Sequence, residues 1–327
     1  MIDRIVRLVR DYEGLKRKKP ISSILEELRS VEDMGRTLRG FGEDCAVFEH
    51  EGGNLLLAAE SIWSRLLEDP EWAGYCSVLA NVNDVYAMGG RPLALVNTLS
   101  FRDENEGRLL ARGMRMGAEK FRVPIVGGHV HPESECPSVS LFVVGSAENP
   151  MSSFGCGPGD DIIVAVDTDG RMKSRFLNFD STSGKASEDV LLRLEALVEI
   201  ANRGLVSAAK DISNPGVLGS IGMLLETSLV GAVVDVGKVP RPDGVDLNDW
   251  IRAYPGFGFI VTCKEANTAE TLGIFRDRGI TAEVVGQAIR ERRMTISFDD
   301  EFRVLFDLER EAITGAIPST HGGVTDE

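Results

Sequence analysis

The chain has 327 residues, of which 43% are hydrophobic and 27% charged, and its formal net charge is −15. This length is enough for two domains with a sizeable core, and the composition is typical of a soluble globular protein. The negative charge argues against general nucleic-acid binding and against adhesion to anionic membranes. Because no apolar run is long enough to span a bilayer and Met1–Arg10 alternates charged with aliphatic residues, we expect neither a membrane span nor a signal peptide, and a cytoplasmic location.

The five cysteines are far apart in the sequence, and no two of them form a CxxC pair. That spacing fits neither a disulfide framework nor a tetrahedral zinc site.

A cationic cluster lies between two amphipathic helices predicted at Met1–Arg10 and Ile21–Leu28. In so acidic a chain, two interpretations of this cluster are possible. It is either solvated surface or a mobile flap that closes over phosphates. Its members are Lys16, Arg17, Lys18 and Lys19.

Carboxylates lie at the entry of the first predicted strand and at the C-terminal end of the second. Glu43 and Asp44 lie in the Gly-rich turn Gly40–Phe48, and Glu60 ends the strand Leu55–Ala59. Such oxygens suit Mg²⁺, which takes one or two carboxylates together with substrate phosphates, although each residue taken singly is also an ordinary turn residue.

The stretch that starts at Trp72 predicts a helix that is apolar on every side and therefore buried. Ser77, Asn81 and Asp84 nevertheless stack on one face, and Gly89 ends the helix. A buried Asp84 needs a cation, a metal or several donors. The face is therefore either an internal capping network or a metal or phosphate site.

After this helix the pattern predicts alternating strands and helices. The strand Val123–Val126 runs into Gly127 and Gly128, so we expect a bend there that lets a ligand approach and that projects His129. The other elements predicted for this half are the strands Leu93–Leu99 and Val139–Gly145 and the helix Glu106–Arg122.

A Gly/Pro/Ser-rich segment near Pro150–Gly159 marks a domain boundary. In the second half, Asn214 and Pro215 predict an N-cap and first residue of a helix whose positive end favours an anion, unless Asp211 and Asn214 only cap it. The tail from Ala316 is expected to be disordered. The remaining predictions are the strands Ile162–Val166, Val233–Val236, Phe257–Cys263 and Ala282–Gly286, the helices Glu188–Arg203 and Glu265–Arg278, and a loop over Arg171–Lys185.

Five motifs occur in one order: GEDCAV from Gly42, NVNDVYAMGGRP from Asn81, GGH from Gly127, PGDDII from Pro158 and KDISNPGVLG from Lys210. Together they resemble the superfamily of aminoimidazole ribonucleotide (AIR) synthetase, thiamine-monophosphate kinase, selenophosphate synthetase and the hydrogenase-maturation dehydratase. The wording AMGGRP, GGHVHP and DISNPG is most similar to the AIR synthase-related subgroup called methanogenesis marker protein 2.

The resemblance implies an α/β (α+β) fold of two domains, at 1–150 and 156–315, followed by a tail at 316–327. The N-terminal domain would form a β-barrel across a homodimer, and ATP would bind with Mg²⁺ and a small-molecule substrate. Four positions depart from the family pattern: Glu60 stands in place of an aspartate, His129 replaces the aspartate of the kinase, and Asn214 with Pro215 replaces Asp-Gly.

By position, the resemblance assigns roles to individual residues. The metal-binding acids are Asp44, Glu60, Asp84 and Asp211. The catalytic residues are Asp84, His129 and Asp211. The nucleotide-binding residues are Lys16, Lys18, Lys19, Gly42, Asn81, Gly127, Gly128 and Asn214.

The function that the sequence favours is Mg²⁺- and ATP-dependent phosphoryl transfer to a small molecule, or activation of that molecule as a phosphate. The alternative, suggested by the departures at His129, Asn214 and Pro215, is a nucleotide-binding assembly or maturation factor with little or no turnover.

Overall fold

The computed structural model describes residues 1–51, 53–256 and 258–317, and it arranges them as two mixed β-sheets with helices between and around them. No helix among these residues combines the length and the apolar character needed to cross a lipid bilayer.

The first sheet has six strands in the order β1-β2-β3-β6-β4-β5. Its neighbours are antiparallel except β4 and β5, which are parallel. The sheet is open, with edges at β1 and β5, so this chain alone does not form the expected barrel. The strands are β1 (Thr37–Arg39), β2 (Ala46–His50), β3 (Gly53–Ser61), β4 (Arg91–Ser100), β5 (Ile125–His131) and β6 (Ser138–Ala147).

The second sheet has seven strands in the order β10-β12-β7-β13-β11-β14-β15, with β11 and β14 parallel. A separate hairpin pairs β8 with β9. These strands are β7 (Asp161–Val166), β8 (Arg171–Met172), β9 (Phe179–Asp180), β10 (Ala208–Asp211), β11 (Gly231–Asp235), β12 (Gly258–Cys263), β13 (Thr281–Ile289), β14 (Arg293–Phe298) and β15 (Glu301–Asp307).

Nine α-helices accompany the sheets in the part of the chain that the structure describes. They are α1 (Ile2–Arg10), α2 (Glu13–Lys16), α3 (Ile21–Leu28), α4 (Pro70–Ala87), α5 (Glu104–Phe121), α6 (Ser187–Asn202), α7 (Gly216–Thr227), α8 (Leu247–Trp250) and α9 (Glu265–Asp277).

Helix α4 is the buried helix that the sequence predicts. Asp69 caps it by accepting a hydrogen bond from the Trp72 amide, and Pro70 occupies its first turn. Its apolar residues share one core with the inner face of the first sheet and with α5, α6 and α9. Helix α4 therefore lies between the two sheets, and any polar group on it is far from bulk water unless a cavity reaches it.

Strand β7 shows how the second sheet serves two cores. Ile163 and Ala165 pack into the core around α4, whereas Ile162, Val164 and Val166 pack into a second core. This alternation follows from the two-residue period of a strand, and it explains why β7 is apolar throughout. The second core includes Ile2 and Ile5 of α1, so the N-terminal helix packs with the second half of the chain although it precedes the first sheet.

The structure differs from the sequence expectations at four places. The bend predicted after Val126 is wrong, because β5 continues through Gly127, Gly128 and His129 in parallel register with β4. Helix α7 begins at Gly216, with Pro215 at the cap position and no side-chain cap, so Asn214 is not the N-cap. Gly216 has φ of +73°, which explains the delayed start, since this conformation lies outside the right-handed helical region.

The other two differences concern segments expected to be irregular. Within Arg171–Lys185 the chain forms the hairpin β8–β9, and Ala316 is buried. Ala316 is held in place because Glu226 accepts hydrogen bonds from the amides of residues 313–315. Phe257, where a strand was predicted to begin, and residues 318–327 of the expected tail lie outside the described residues.

Candidate functional site

A cavity of about 470 Å³ lies between the two halves of the chain, and five carboxylates, Glu43 among them, line it from four segments. Asp44 precedes β2, Glu60 lies in β3, Asp84 in α4, and Asp211 ends β10. We call this space the carboxylate cavity. The structure therefore brings together the four acids expected to bind metal, and their binding of a metal stays a prediction.

The register of the first sheet explains why Glu60 faces the cavity. Glu60 pairs with Leu141, which is fully buried on the face covered by α4. Side chains of directly paired residues lie on the same face of a sheet, so Glu60 points inward as well.

Asp84 is the least satisfied of the four acids. Only 5% of the residue is exposed, and its Oδ2 atom has no hydrogen-bond partner among the residues that the structure describes. Burial raises its pKa well above the usual value, and the nearby carboxylates of Glu60, Asp211 and Asp44 raise it further. A cation placed here would relieve both effects.

Asp211 and Glu60 are also buried acids whose pKa values are raised. Burial, followed by the charge of Asp44, raises the pKa of Asp211 to about 7, against the opposing effect of Lys210. Burial also raises the pKa of Glu60, although Lys18 and Lys210 act in the other direction. Both carboxyl groups therefore retain protons to a higher pH than usual in the absence of a bound cation, which relieves part of the repulsion among the cavity acids.

Lys210 is a functional candidate that sequence reasoning missed. Its ammonium pairs with the Asp44 carboxylate and lies 3.8 Å from Asp211 Oδ1, with only 8% of its side chain exposed. Burial alone would lower its pKa, but Asp44 and Asp211 raise the pKa above its usual value. The sequence feature that could have identified Lys210 is its position in an apolar strand, directly before Asp211.

A second cation reaches the cavity from the N-terminal segment. Of the three lysines predicted to bind nucleotide, Lys18 lines the cavity, whereas Lys16 pairs with Asp11 and both Lys16 and Lys19 are exposed. The segment consists of helical turns: α2 ends at Lys16, and the Lys18 and Lys19 amides donate to the carbonyls of residues 15 and 16.

The remaining nucleotide-binding candidates divide into two groups. Gly42 and Asn214 line the cavity, and Asn214 Oδ1 accepts a long hydrogen bond of 3.4 Å from the Tyr12 hydroxyl. Asn81 does not line it: its Nδ2 donates to the Ser77 carbonyl at 2.8 Å within α4.

The glycine–histidine motif lies away from the cavity in this chain. His129 pairs with Thr98 on the outer face of the first sheet, and Gly127, Gly128 and His129 are all exposed. The His129 and His131 rings contact each other with centroids 4.5 Å apart. A single chain therefore does not bring His129 to Asp84 or Asp211.

Magnesium suits the donor chemistry of the cavity. No three His, Cys, Asp or Glu side chains among the described residues are close enough together to hold a metal by themselves. Mg²⁺ does not need such a set, since it is commonly held by one or two carboxylates together with phosphates and water. The unpartnered Asp84 oxygen and the neighbouring Glu60 provide carboxylates of that kind.

Family models identify both halves of the chain. The AIR synthase related protein N-terminal domain matches residues 42–147, and the corresponding C-terminal domain matches residues 157–299. The chain belongs to the AIR synthase related family. The resemblance inferred from the five motifs is therefore confirmed, as is the two-domain α/β fold.

Individual relatives of this AIR synthase related chain cover most of its length. It is 40% identical over 321 residues to an uncharacterised protein of Methanocaldococcus jannaschii, spanning 96% of this chain and 99% of that protein. It is 26% identical to selenide, water dikinase of Carboxydothermus hydrogenoformans, over 72% of this chain and 71% of that enzyme.

Among solved structures, T. maritima PurL complexed with ATP has the same fold, with a TM-score of 0.72 and 20% identity. The match covers 88% of this chain but 50% of the PurL chain, so this chain spans about half of that protein.

Proposed function

We propose that this chain binds ATP together with Mg²⁺ in the carboxylate cavity. It then transfers the γ-phosphoryl group to a small molecule, or uses that group to activate the molecule as a phosphate. The observation that carries the proposal is the buried Asp84 oxygen, which has no hydrogen-bond partner among the described residues and lies with four further carboxylates in a cavity that two lysines reach. A relative, selenide, water dikinase, and the structure of PurL complexed with ATP both support an ATP-using role.

In the proposed complex, Asp84 and Glu60 hold the metal, with Asp211 and Asp44 beside them. When bound, the metal would neutralise phosphate charge in a site that otherwise repels a triphosphate. Lys18 and Lys210 hold phosphate oxygens from either side. Phosphoryl transfer needs such positioning and charge neutralisation more than it needs a covalent nucleophile.

Helix α7 adds uncharged donors to the site. No side chain of the described residues caps its N-terminus, and Asn214, two residues before it, lines the cavity. Its first free N–H groups and the positive end of its dipole favour an anion there. Asp211 lines the cavity beside the proposed metal position and is suited to accept a proton from an acceptor hydroxyl.

The direct test compares the wild type with Asp84→Asn. In the apo state the variant should be at least as stable as the wild type, because the substitution removes a buried charge that lacks a partner. Binding of AMPPCP in Mg²⁺ should nevertheless weaken at least about tenfold, equivalent to ~1.4 kcal/mol. Melting curves of both proteins, with and without Mg²⁺ and AMPPCP, measure both effects.

Two results of these measurements would contradict the proposal. If Asp84→Asn melts much earlier than the wild type but gains the same shift from the ligand, Asp84 is a structural residue and the proposal fails. Equal AMPPCP affinity of the wild type in EDTA and in excess Mg²⁺ would exclude the metal-dependent part.

A second function is a nucleotide-binding assembly or maturation factor with little turnover. The observation that favours it is that Gly127, Gly128 and His129 are exposed in β5, away from the carboxylate cavity, together with Asn214 and Pro215 just before α7. ATP turnover measured with and without a pool of cell metabolites separates the two functions. Tight AMPPCP binding with no turnover under either condition would favour the factor.

A further inference from the structure

A second pocket, of about 400 Å³, lies beside the carboxylate cavity. Trp63 lines both spaces, so the indole forms part of the wall between them. We call this second space the arginine pocket. The residues that define it are Arg7, Tyr12, Trp63, Arg65 and Arg252.

Three guanidinium groups are placed on the aromatic rings of the arginine pocket. The Arg17 and Arg65 guanidinium carbons lie 5.2 and 5.7 Å from the centroid of Trp63, and that of Arg252 lies 5.9 Å from the centroid of Tyr12. Stacking on a ring fixes the plane of a guanidinium and leaves its N–H groups free to bind a planar or tetrahedral oxyanion.

The charges around this pocket do not cancel. Asp11 is paired with Lys16 at 3.1 Å, and Arg252 is paired with Asp249 at 2.9 Å. Within the described ranges, neither Arg17 nor Arg65 forms an ion pair.

Arg7 likewise has no carboxylate partner among the described residues; its Nε donates to the Asp3 carbonyl. Glu13 is then the remaining carboxylate among the described residues that line the pocket, beside Arg7, Arg17 and Arg65. An uncompensated positive site in a chain of net charge −15 is suited to bind an anion.

A polar contact continues from this pocket to the carboxylate cavity. The Tyr12 hydroxyl donates to Asn214 Oδ1, and Asn214 lines that cavity. Burial raises the pKa of Tyr12 to about 12 even though Arg252, Arg65 and Arg17 lower it, so the hydroxyl keeps its proton at neutral pH. The three arginines are thus all close to the Tyr12–Trp63 wall.

We propose that the arginine pocket binds the anionic group, a phosphate or a carboxylate, of the molecule that receives the phosphoryl group. The rest of that molecule passes Trp63 and presents its acceptor atom to the carboxylate cavity. The identification of the bound molecule as the phosphoryl acceptor rests on the proposed function, but the binding of an anion by Arg65 and Arg17 does not depend on ATP.

The experiment uses the fluorescence of Trp63, because Trp72 and Trp250 are buried whereas Trp63 is partly exposed. Inorganic phosphate and succinate are titrated separately into the full chain at constant ionic strength set with chloride. We expect a saturable change in emission that Trp63→Phe abolishes. The anion that binds more tightly identifies whether the acceptor carries a phosphate or a carboxylate.

Arg65→Ala should weaken this binding at least about tenfold, since it removes a charge-assisted hydrogen-bonding partner. Arg65→Gln, which keeps most of the side-chain volume, should show the same loss. The matched control is Arg290→Ala, which removes an exposed arginine that does not line the arginine pocket and should bind like the wild type. Absence of a saturable change in the wild type, or equal affinities in the wild type and Arg65→Ala, would overturn the inference.

Different results would overturn the anion site in the arginine pocket and the proposed ATP-dependent function. Phosphate binding that Lys210→Met weakens but Arg65→Ala leaves intact would place the anion in the carboxylate cavity and overturn the arginine pocket. Failure of AMPPCP to bind in Mg²⁺, with the Arg65-dependent titration intact, would contradict the ATP-dependent function and leave the anion site in place.

Discussion

At the residue scale, the pair of Lys210 and Asp44 joins the two halves of the chain. Lys210 lies in β10 of the second sheet, and Asp44 lies before β2 of the first; Asp44 also accepts a hydrogen bond from the Asp211 amide at 3.0 Å. Both side chains are less than a tenth exposed, so neither charge is well solvated without the other.

Removing one partner should therefore be much more damaging than removing both. We expect Lys210→Met to lower the free energy of unfolding by ~3–5 kcal/mol, because it strands the Asp44 carboxylate in the interior. The double variant Lys210→Met/Asp44→Asn should recover most of that loss. Urea unfolding at neutral pH in EDTA measures all three proteins. Additive losses in the double variant would show that the two charges are not coupled.

The raised pKa of Asp211 predicts how stability depends on pH. The folded protein keeps the Asp211 proton up to about pH 7, whereas the unfolded chain releases it near the usual 3.8. Between these values the unfolded state binds fewer protons, so the free energy of unfolding contributed by this group is greatest below about pH 4. It falls as pH rises toward 7, by at most about 1.4 kcal/mol per pH unit.

Asp211→Asn should flatten that decline. Unfolding free energies at intervals from pH 4.5 to 8, measured in EDTA, provide the test, and Asp277→Asn, which changes an exposed carboxylate on α9, is the control. Parallel pH profiles for the wild type and Asp211→Asn would show that Asp211 does not carry the effect.

At the element scale, the start of α7 depends on one glycine. Gly216 has φ of +73°, and a Cβ atom there would lie 2.3 Å from the Ile251 carbonyl oxygen, which is backbone and cannot rotate away. Gly216→Ala should therefore destabilise the fold by at least ~1–3 kcal/mol and displace the Asn214 segment that lines the carboxylate cavity.

Gly273→Ala is the matched control because Gly273 lies within α9 and nothing is near its Cβ position. That change should stabilise the protein by ~0.5–1 kcal/mol through helix propensity. Thermal melts of both variants, with Mg²⁺ and AMPPCP and without them, give the comparison. A Gly216→Ala protein as stable as Gly273→Ala would contradict the required left-handed conformation.

The sequence predicted buried helix α4 and the approach of Asp84 to Asp44, Glu60 and Asp211, because apolar periodicity and motif order depend on local residues. It did not predict the course of β5. Two glycines after an apolar run favour a bend locally, but pairing with β4 supplies hydrogen bonds that keep the chain extended. Pairing partners are set by tertiary structure, so the face of the sheet that His129 occupies could not be predicted from the residues next to it in the sequence.

Lys210 was missed for a similar reason. A lysine beside an aspartate at the end of a strand is usually solvated, and only the approach of Asp44 from the other half of the chain makes this one buried and paired. Asn214 is not the helix cap because Gly216 adopts a φ of +73° and the helix begins only there. The Ile251 carbonyl that leaves no room for a Cβ at Gly216 is distant in sequence, so local preference could not predict this start.

At the scale of the whole molecule, the first sheet has one covered face and one open face. The inner face packs on α4 through residues such as Leu141 and Val143, which are fully buried. On the outer face, Phe142 pairs with Val96, and both are more than a third exposed. Leu57 lies on the same outer face and is 48% exposed, so the described part of the chain leaves an apolar sheet surface in contact with water.

An apolar sheet face of this kind is normally covered by a second layer. We therefore expect a homodimer in which the outer faces of two first sheets meet. The same packing would place His129 of each chain at the interface rather than in solvent, since His129 lies on the outer face.

Phe142→Arg should convert the dimer to a monomer, because it places a charge in the centre of the apolar outer face, where no carboxylate partner is in direct register. Leu192→Arg is the control, since Leu192 is 56% exposed on α6, away from the first sheet. Light scattering at micromolar concentration and moderate salt should give about twice the chain mass of 35.6 kDa for the wild type and for Leu192→Arg, and the single mass for Phe142→Arg. A wild-type mass near 35.6 kDa would contradict the expectation, and a dimer that persists in Phe142→Arg would place the interface on another surface.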